Sequence, residues 1–253
     1  MVRAVRKPRA ELPLVQLLPN ALTLGAICAG LTAIRMAAFG AFNQAVGLVI
    51  LAAVLDGVDG RLARALGSES PIGAELDSLA DFVNFGVTPA MILYFWALEP
   101  ADEIGWAAVL VYALCCVLRL ARFNVGAKSD TPADKRFFTG VPSPAGALLA
   151  LGPLFLARAL HLTAPVPAQG AALWLVLSGA LMVSRWPTFS LKTTIYAEHV
   201  RFVLIGVTAI VTMLAVYPWQ TLLCFDVVYL FGLVLSWRAS RRPAETAERP
   251  DGD

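Results

Sequence analysis

Charge is what this chain lacks. Only 15% of its 253 residues are Asp, Glu, Lys or Arg, against about 25% in an ordinary soluble domain. Histidine is nearly absent: His161 stands alone and His199 lies beside Arg201, and each reads as a structural or exposed residue rather than a ligand. The four cysteines (Cys28, Cys115, Cys116 and Cys224) all sit inside apolar runs, with no CxxC pair and no neighbouring histidine. That pattern disfavours a zinc site or a disulfide framework and leaves small buried hydrophobes. The net charge of +2 is scattered in small clusters, so the broad basic field of a nucleic-acid-binding surface is missing.

Apolar residues are what it has in excess. They make up 58% of the chain before its 19 glycines are counted, and mean hydropathy is +0.70. A soluble core of this size cannot hide so much apolar surface, so the expected class is an all-α, polytopic membrane helical bundle. Eight apolar stretches cover residues 14–34, 42–62, 76–98, 104–123, 144–160, 168–183, 200–216 and 221–237. A spanning helix needs about 20 residues, so eight would use roughly 160 and leave loops and tails but no separate soluble catalytic domain. The expected organisation is a basic tail over 1–13, a membrane domain over 14–237 and a disordered tail over 238–253. The first apolar stretch is long and contains Pro19-Asn20, which favours an uncleaved helix over a signal peptide.

With an even number of spans both termini share a side. All of the 20 Lys and Arg except Arg35 and Arg158 then fall on that side, and the positive-inside rule makes it the cytoplasm. Trp96, Trp106, Tyr217, Trp219 and Trp237 read as interface anchors. Ala26, Gly30 and Ala33 read as small residues that permit close helix packing. Asp226 lies within a span and reads as a snorkelling residue or a packing partner.

The acidic residues are placed less evenly. Six fall between Asp56 and Asp81. Asp56 and Asp59 are three apart at the end of the second stretch, and Asp77 and Asp81 are four apart at the start of the third, so each pair shares a helix face. A short connection makes the two helices antiparallel neighbours and brings four carboxylates to one membrane depth. Such a group repels itself and needs cations. All-oxygen ligation suits hard ions such as Mg²⁺ or Mn²⁺, which bridge carboxylates to phosphates. Arg64 offers a fork for phosphate oxygens, and Gly60 and Gly73 let a ligand approach the backbone closely.

The run Asp56-x2-Asp59-Gly60-x2-Ala63-Arg64-x8-Gly73-x3-Asp77-x3-Asp81 resembles the signature of the CDP-alcohol phosphotransferase family, with every fixed position filled. Three further stretches are similar to the bacterial phosphatidylserine synthase branch: Asp81-Phe82-Val83-Asn84-Phe85-Gly86, Leu118-Arg119-Leu120-Ala121-Arg122-Phe123-Asn124 and Phe138-Thr139-Gly140-Val141-Pro142-Ser143-Pro144. Pro19-Asn20 with Thr23, and Met182-Val183-Ser184-Arg185 with Lys192, fit the same branch. The resemblance implies a membrane enzyme, usually a homodimer, that moves a phosphatidyl group from CDP-diacylglycerol to a hydroxyl, here that of L-serine, and releases CMP. It implies Asp56, Asp59, Asp77 and Asp81 as the metal-binding set, with Asp81 also the catalytic base. Asn20, Asp59, Gly60, Ala63, Arg64, Ser70 and Gly73 are implied as contacts to the CDP-linked donor.

Serine is a zwitterion, so its carboxylate needs a cation. Arg119 and Arg122, with Asn124, are the candidates for that role, since arginines inside an apolar run are costly without a task. Lys128, Lys135 and Arg136 serve either that site or topology. Acceptors such as glycerol 3-phosphate, inositol phosphate or choline remain open by this reading. So does transport of a divalent cation, although transporters place ligands near the midplane on broken helices.

Overall fold

The computed structural model describes residues 17–127, 137–162, 166–184, 187–189 and 200–240. The basic tail 1–13, Lys128, Lys135, Arg136, Arg185, Lys192, His199 and the tail from 241 onward lie outside the described residues. Within the described residues, each of the eight apolar stretches falls on helix. These are α1 (Leu18–Ala38), α2 (Phe42–Leu66), α3 (Pro71–Asp81), α4 (Thr88–Leu93), α5 (Asp102–Ala127), α6 (Ser143–Ala150), α7 (Gly152–Ala159), α8 (Ala168–Val183), α9 (Val200–Val216) and α10 (Pro218–Ser240). Wider π-helical turns, Phe82–Val87 and Tyr94–Leu98, join α3 to α4 and follow α4.

Three helical segments are long and apolar enough to cross a membrane: Leu18–Ala38, the 56-residue run Pro71–Gly126, and Pro218–Arg238. Ala168–Val183 and Arg201–Val216 are shorter apolar helices. The all-α expectation needs one addition. Residues Phe137–Thr139 (β1) and Pro187–Phe189 (β2) pair antiparallel, with Phe138 opposite Thr188. Three-residue strands leave no periodic signal in a sequence.

Helix limits also shift from the apolar limits. α2 runs past residue 62 to Leu66 because Arg61, Ala63 and Arg64 are polar or small yet good helix formers. It stops where Gly67 takes a left-handed φ of 59°, a conformation that glycine adopts without strain. Asp56 and Asp59 therefore sit within a helix rather than at its frayed end. The 144–160 stretch breaks into α6 and α7 at Leu151, just before Pro153.

Two prolines inside the bundle each leave a carbonyl without its donor four residues on. In both cases a ring from another helix supplies one: Tyr112 Oη donates to Phe85 O at 2.9 Å opposite Pro89, and Trp174 Nε1 donates to Leu149 O at 2.6 Å opposite Pro153. In an apolar surround an unpartnered carbonyl would cost several kcal/mol.

The most extensive pairings are α1 with α2 and α5 with α8. Ala26 and Ala33 are fully buried, as their size suggested. One core gathers Leu93, Tyr112, Leu149, Leu175 and Met182, and a second gathers Ala33, Val49, Ile92, Leu154 and Phe155. Arg35 and Arg158, the two cations set apart from the rest, lie over the rings of Phe39 and Trp219 at 5.4 and 5.9 Å. Asp226 is 4% exposed, so it packs inside rather than snorkels.

Gly30 marks the tightest approach of α1 to the segment after α3. A Cβ there would lie 2.2 Å from Asn84 Oδ1 and 3.1 Å from Thr88 Oγ1. Gly30→Leu is expected to destabilise the bundle by about 1–3 kcal/mol, the usual range for overpacking. A lowered melting temperature in detergent checks this, and an unchanged one would mean that α1 can move outward freely.

Candidate functional site

The site is built where α1, α2 and α3 meet at one end of the bundle. Ser70 opens α3 by accepting a hydrogen bond from Gly73 N at 3.0 Å, and Pro71 follows at the first helical position. Both are strong helix-start features, and they aim the face bearing Asp77 and Asp81 at α2. Gly73 lets the start of α1 close in: a Cβ there would stand 3.1 Å from both Asn20 Oδ1 and Ser70 Oγ.

Between these elements lies a cavity of about 300 Å³. Asn20, Asp59, Gly60, Ala63, Arg64, Ser70 and Gly73, the residues expected to contact a CDP-linked donor, all line it, together with Asp77. Sequence reasoning did not place Pro19, Thr23, Ser68, Glu69 and Ala74 in the wall. Pro19 adjoins Asn20, Glu69 adjoins Ser70 and Ala74 adjoins Gly73, and that adjacency was the available signal for those three.

The four aspartates form one electrostatic group. Asp56 and Asp81 are within hydrogen-bonding reach of each other, and Asp56 also feels Asp77 and Asp59. Asp59 is 2% exposed, and its Oδ2 accepts a hydrogen bond from Thr23 Oγ1 at 2.5 Å. Thr23 thus fixes the carboxylate from α1. Asp56 Oδ1 and Asp59 Oδ1 are buried with no hydrogen-bond partner. Among the described residues no three His, Cys, Asp or Glu side chains are already drawn into a closed ligand set. The buried, unpartnered oxygens nevertheless match the demand of a hard cation, which takes oxygen donors and often completes its shell with substrate phosphate.

The structure separates the three candidate acceptor residues. Arg119 interacts with Asp81 and donates from Nη1 to Ser143 Oγ on α6. Arg122 points elsewhere, donating to Val183 O at 2.9 Å at the end of α8. Asn124 Nδ2 donates to Ser78 Oγ at 3.0 Å and so braces α5 against α3. Of the three, Arg119 is the one whose charge acts on Asp81. Ser143, fully buried, was not singled out from sequence, although it lies in the Pro142-Ser143-Pro144 element that opens α6.

Known proteins are similar to this chain over most of its length. Residues 16–237 match the CDP-alcohol phosphatidyltransferase family. A Mycobacterium leprae protein named CDP-diacylglycerol–serine O-phosphatidyltransferase is 43% identical over 198 residues, covering 78% of this chain and 66% of that relative. A Mycobacterium tuberculosis protein of the same name is 38% identical over 248 residues, covering 96% of this chain and 86% of the relative. A Helicobacter pylori protein of that name is 33% identical over 223 residues, covering 87% and 91%. With Asp59 and Asp77 of the aspartate motif walling one cavity and the match running over nearly all of the helical domain, the chain belongs to the CDP-alcohol phosphatidyltransferase family.

Proposed function

We propose that this protein transfers the phosphatidyl group of CDP-diacylglycerol to the hydroxyl of L-serine, giving phosphatidylserine and CMP. The observation that carries the reading is the cavity whose wall joins Arg64 and Gly60 to Asp59 and Asp77, with Arg119 approaching Asp81 from α5. The names of the three relatives support serine as acceptor.

The lipid tails stay in the bilayer while the CDP head enters between α1, α2 and α3. Arg64 offers two parallel donors to phosphate oxygens, and the close backbone at Gly60 and Gly73 admits the head group. Asp56, Asp59, Asp77 and Asp81 would hold Mg²⁺ or Mn²⁺. Such a cation, when bound, offsets pyrophosphate charge and stabilises the departing CMP. Asp81 accepts the proton of the serine hydroxyl as that oxygen forms its bond to the β-phosphorus, and the bond from that phosphorus to the CMP oxygen breaks. Arg119 holds the acceptor near Asp81, and confinement supplies much of the remaining acceleration.

The same reading has eight membrane crossings, both termini and the active site on the cytoplasmic side of a bacterial inner membrane, and a homodimer. The distribution of Lys and Arg supports the orientation, and the bacterial relatives support the membrane. Purified protein given CDP-diacylglycerol and a panel of serine, glycerol 3-phosphate, inositol phosphate and choline is expected to release CMP with serine alone. Release with another acceptor would reassign the substrate. No release with any would reopen transport.

A further inference from the structure

A threonine inside an apolar helix usually folds its hydroxyl back on the carbonyl four residues earlier. Thr32, Thr208, Thr212 and Thr221 do so, donating to Cys28 O, Leu204 O, Thr208 O and Tyr217 O. Thr23 differs. Its hydroxyl lies 3.1 Å from Pro19 O on its own helix but 2.5 Å from Asp59 Oδ2 on α2. A hydroxyl has one hydrogen to give, and Pro19 O already receives the backbone N–H of Thr23 in the ordinary helical pattern. The carboxylate, charged and nearer, therefore takes it.

Both residues are sealed in. Thr23 is 4% exposed and Asp59 2%, and both line the cavity between α1, α2 and α3. Of the four aspartates, Asp59 alone is buried. Its Oδ2 is tied to α1, so the carboxylate cannot turn about its last bond without breaking that hydrogen bond. Its Oδ1 is left buried with no partner. One oxygen gripped from another helix and the other bare is how proteins prepare a carboxylate for a metal ion, because ligating carboxylates are themselves held by hydrogen bonds.

We infer that Thr23 is a positioning residue of the metal site: it holds Asp59 so that Oδ1 remains for the cation, and thereby sets the affinity for Mg²⁺ or Mn²⁺. The inference rests on the metal reading proposed above and adds to it a residue from α1, outside the aspartate motif.

Thr23→Val tests it, since valine replaces the hydroxyl by a methyl at nearly constant shape. Full-length purified protein is titrated with Mn²⁺ in the absence of substrates, and Kd is read from the concentration dependence of the melting temperature. That Kd is expected to rise about 10–100-fold in Thr23→Val, the usual cost of deleting a partner that holds a metal ligand. Thr23→Ser keeps the hydroxyl and is expected to stay near the wild-type Kd. An unchanged Kd in Thr23→Val would overturn the inference, including the case of a melting temperature lowered equally at every Mn²⁺ concentration, the mark of a packing role. Should Thr23→Val not fold, Thr23→Ala is read by the same Kd, with the same two outcomes. Wild-type protein whose melting temperature does not respond to Mn²⁺ would instead remove the metal reading itself, so the two failures are distinguishable.

Discussion

Asp81→Asn protein is expected to release CMP from CDP-diacylglycerol and serine about 10²–10⁴-fold more slowly than wild type, the range a positioned general base contributes. The substitution preserves shape, since Asn and Asp differ by one heavy atom's identity. What it removes is the capacity to take a proton. Asp81 ends α3, where Asp56 reaches it from α2 and the charge of Arg119 on α5 acts on it, so an acceptor hydroxyl directed there would meet a carboxylate able to take its proton. Removing one charge from a self-repelling group does not weaken the fold, and the melting temperature is expected to hold or rise. Steady-state CMP release and a thermal melt on the same preparation check both. Near-normal turnover would take Asp81 out of the base role.

Chelation is expected to produce the second large effect. Two unit charges 4 Å apart repel by about 4 kcal/mol in a surround of effective dielectric constant near 20, and this site gathers four carboxylates with two buried oxygens unpartnered. A divalent cation converts that repulsion into attraction and gives the incoming phosphates somewhere to bind. Turnover is expected to fall more than about 100-fold with excess EDTA and to return with Mg²⁺ or Mn²⁺. A readout independent of activity is available: metal at about 100 times its Kd stabilises the folded state by about 2.7 kcal/mol, a rise in melting temperature that Asp56→Asn is expected to reduce or abolish. Full activity in chelator would overturn the metal reading.

Much of this was legible before any coordinates. Apolar runs of spanning length became helices because a membrane interior leaves the backbone few other ways to satisfy itself. The residues proposed to bind the donor converge on one cavity because their spacings of three and four put them on helix faces that one short connection forces together. Less legible was anything that depends on how each helix is rotated against its neighbours. Arg119, Arg122 and Asn124 are adjacent in sequence, yet they reach three different helices, toward Ser143, Val183 and Ser78. Only the packing of α5 against α8 and α3 decides which of them meets Asp81. The inward orientation of Asp226 was illegible for the same reason, since it is set by how α10 is rotated against its neighbours.

The ring donors opposite Pro89 and Pro153 carry a consequence for how sequences of this kind can diverge. Each proline and its tyrosine or tryptophan lie on different helices, 23 residues apart for Pro89 and Tyr112, yet they answer one unmet carbonyl. Losing Tyr112 while keeping Pro89 takes from Phe85 O its side-chain donor, whereas Leu149 O keeps a backbone N–H at the end of α6. Losing the proline restores an ordinary helical donor and makes the ring's polar atom surplus. In related chains Pro89 and Tyr112 are therefore expected to change together or not at all.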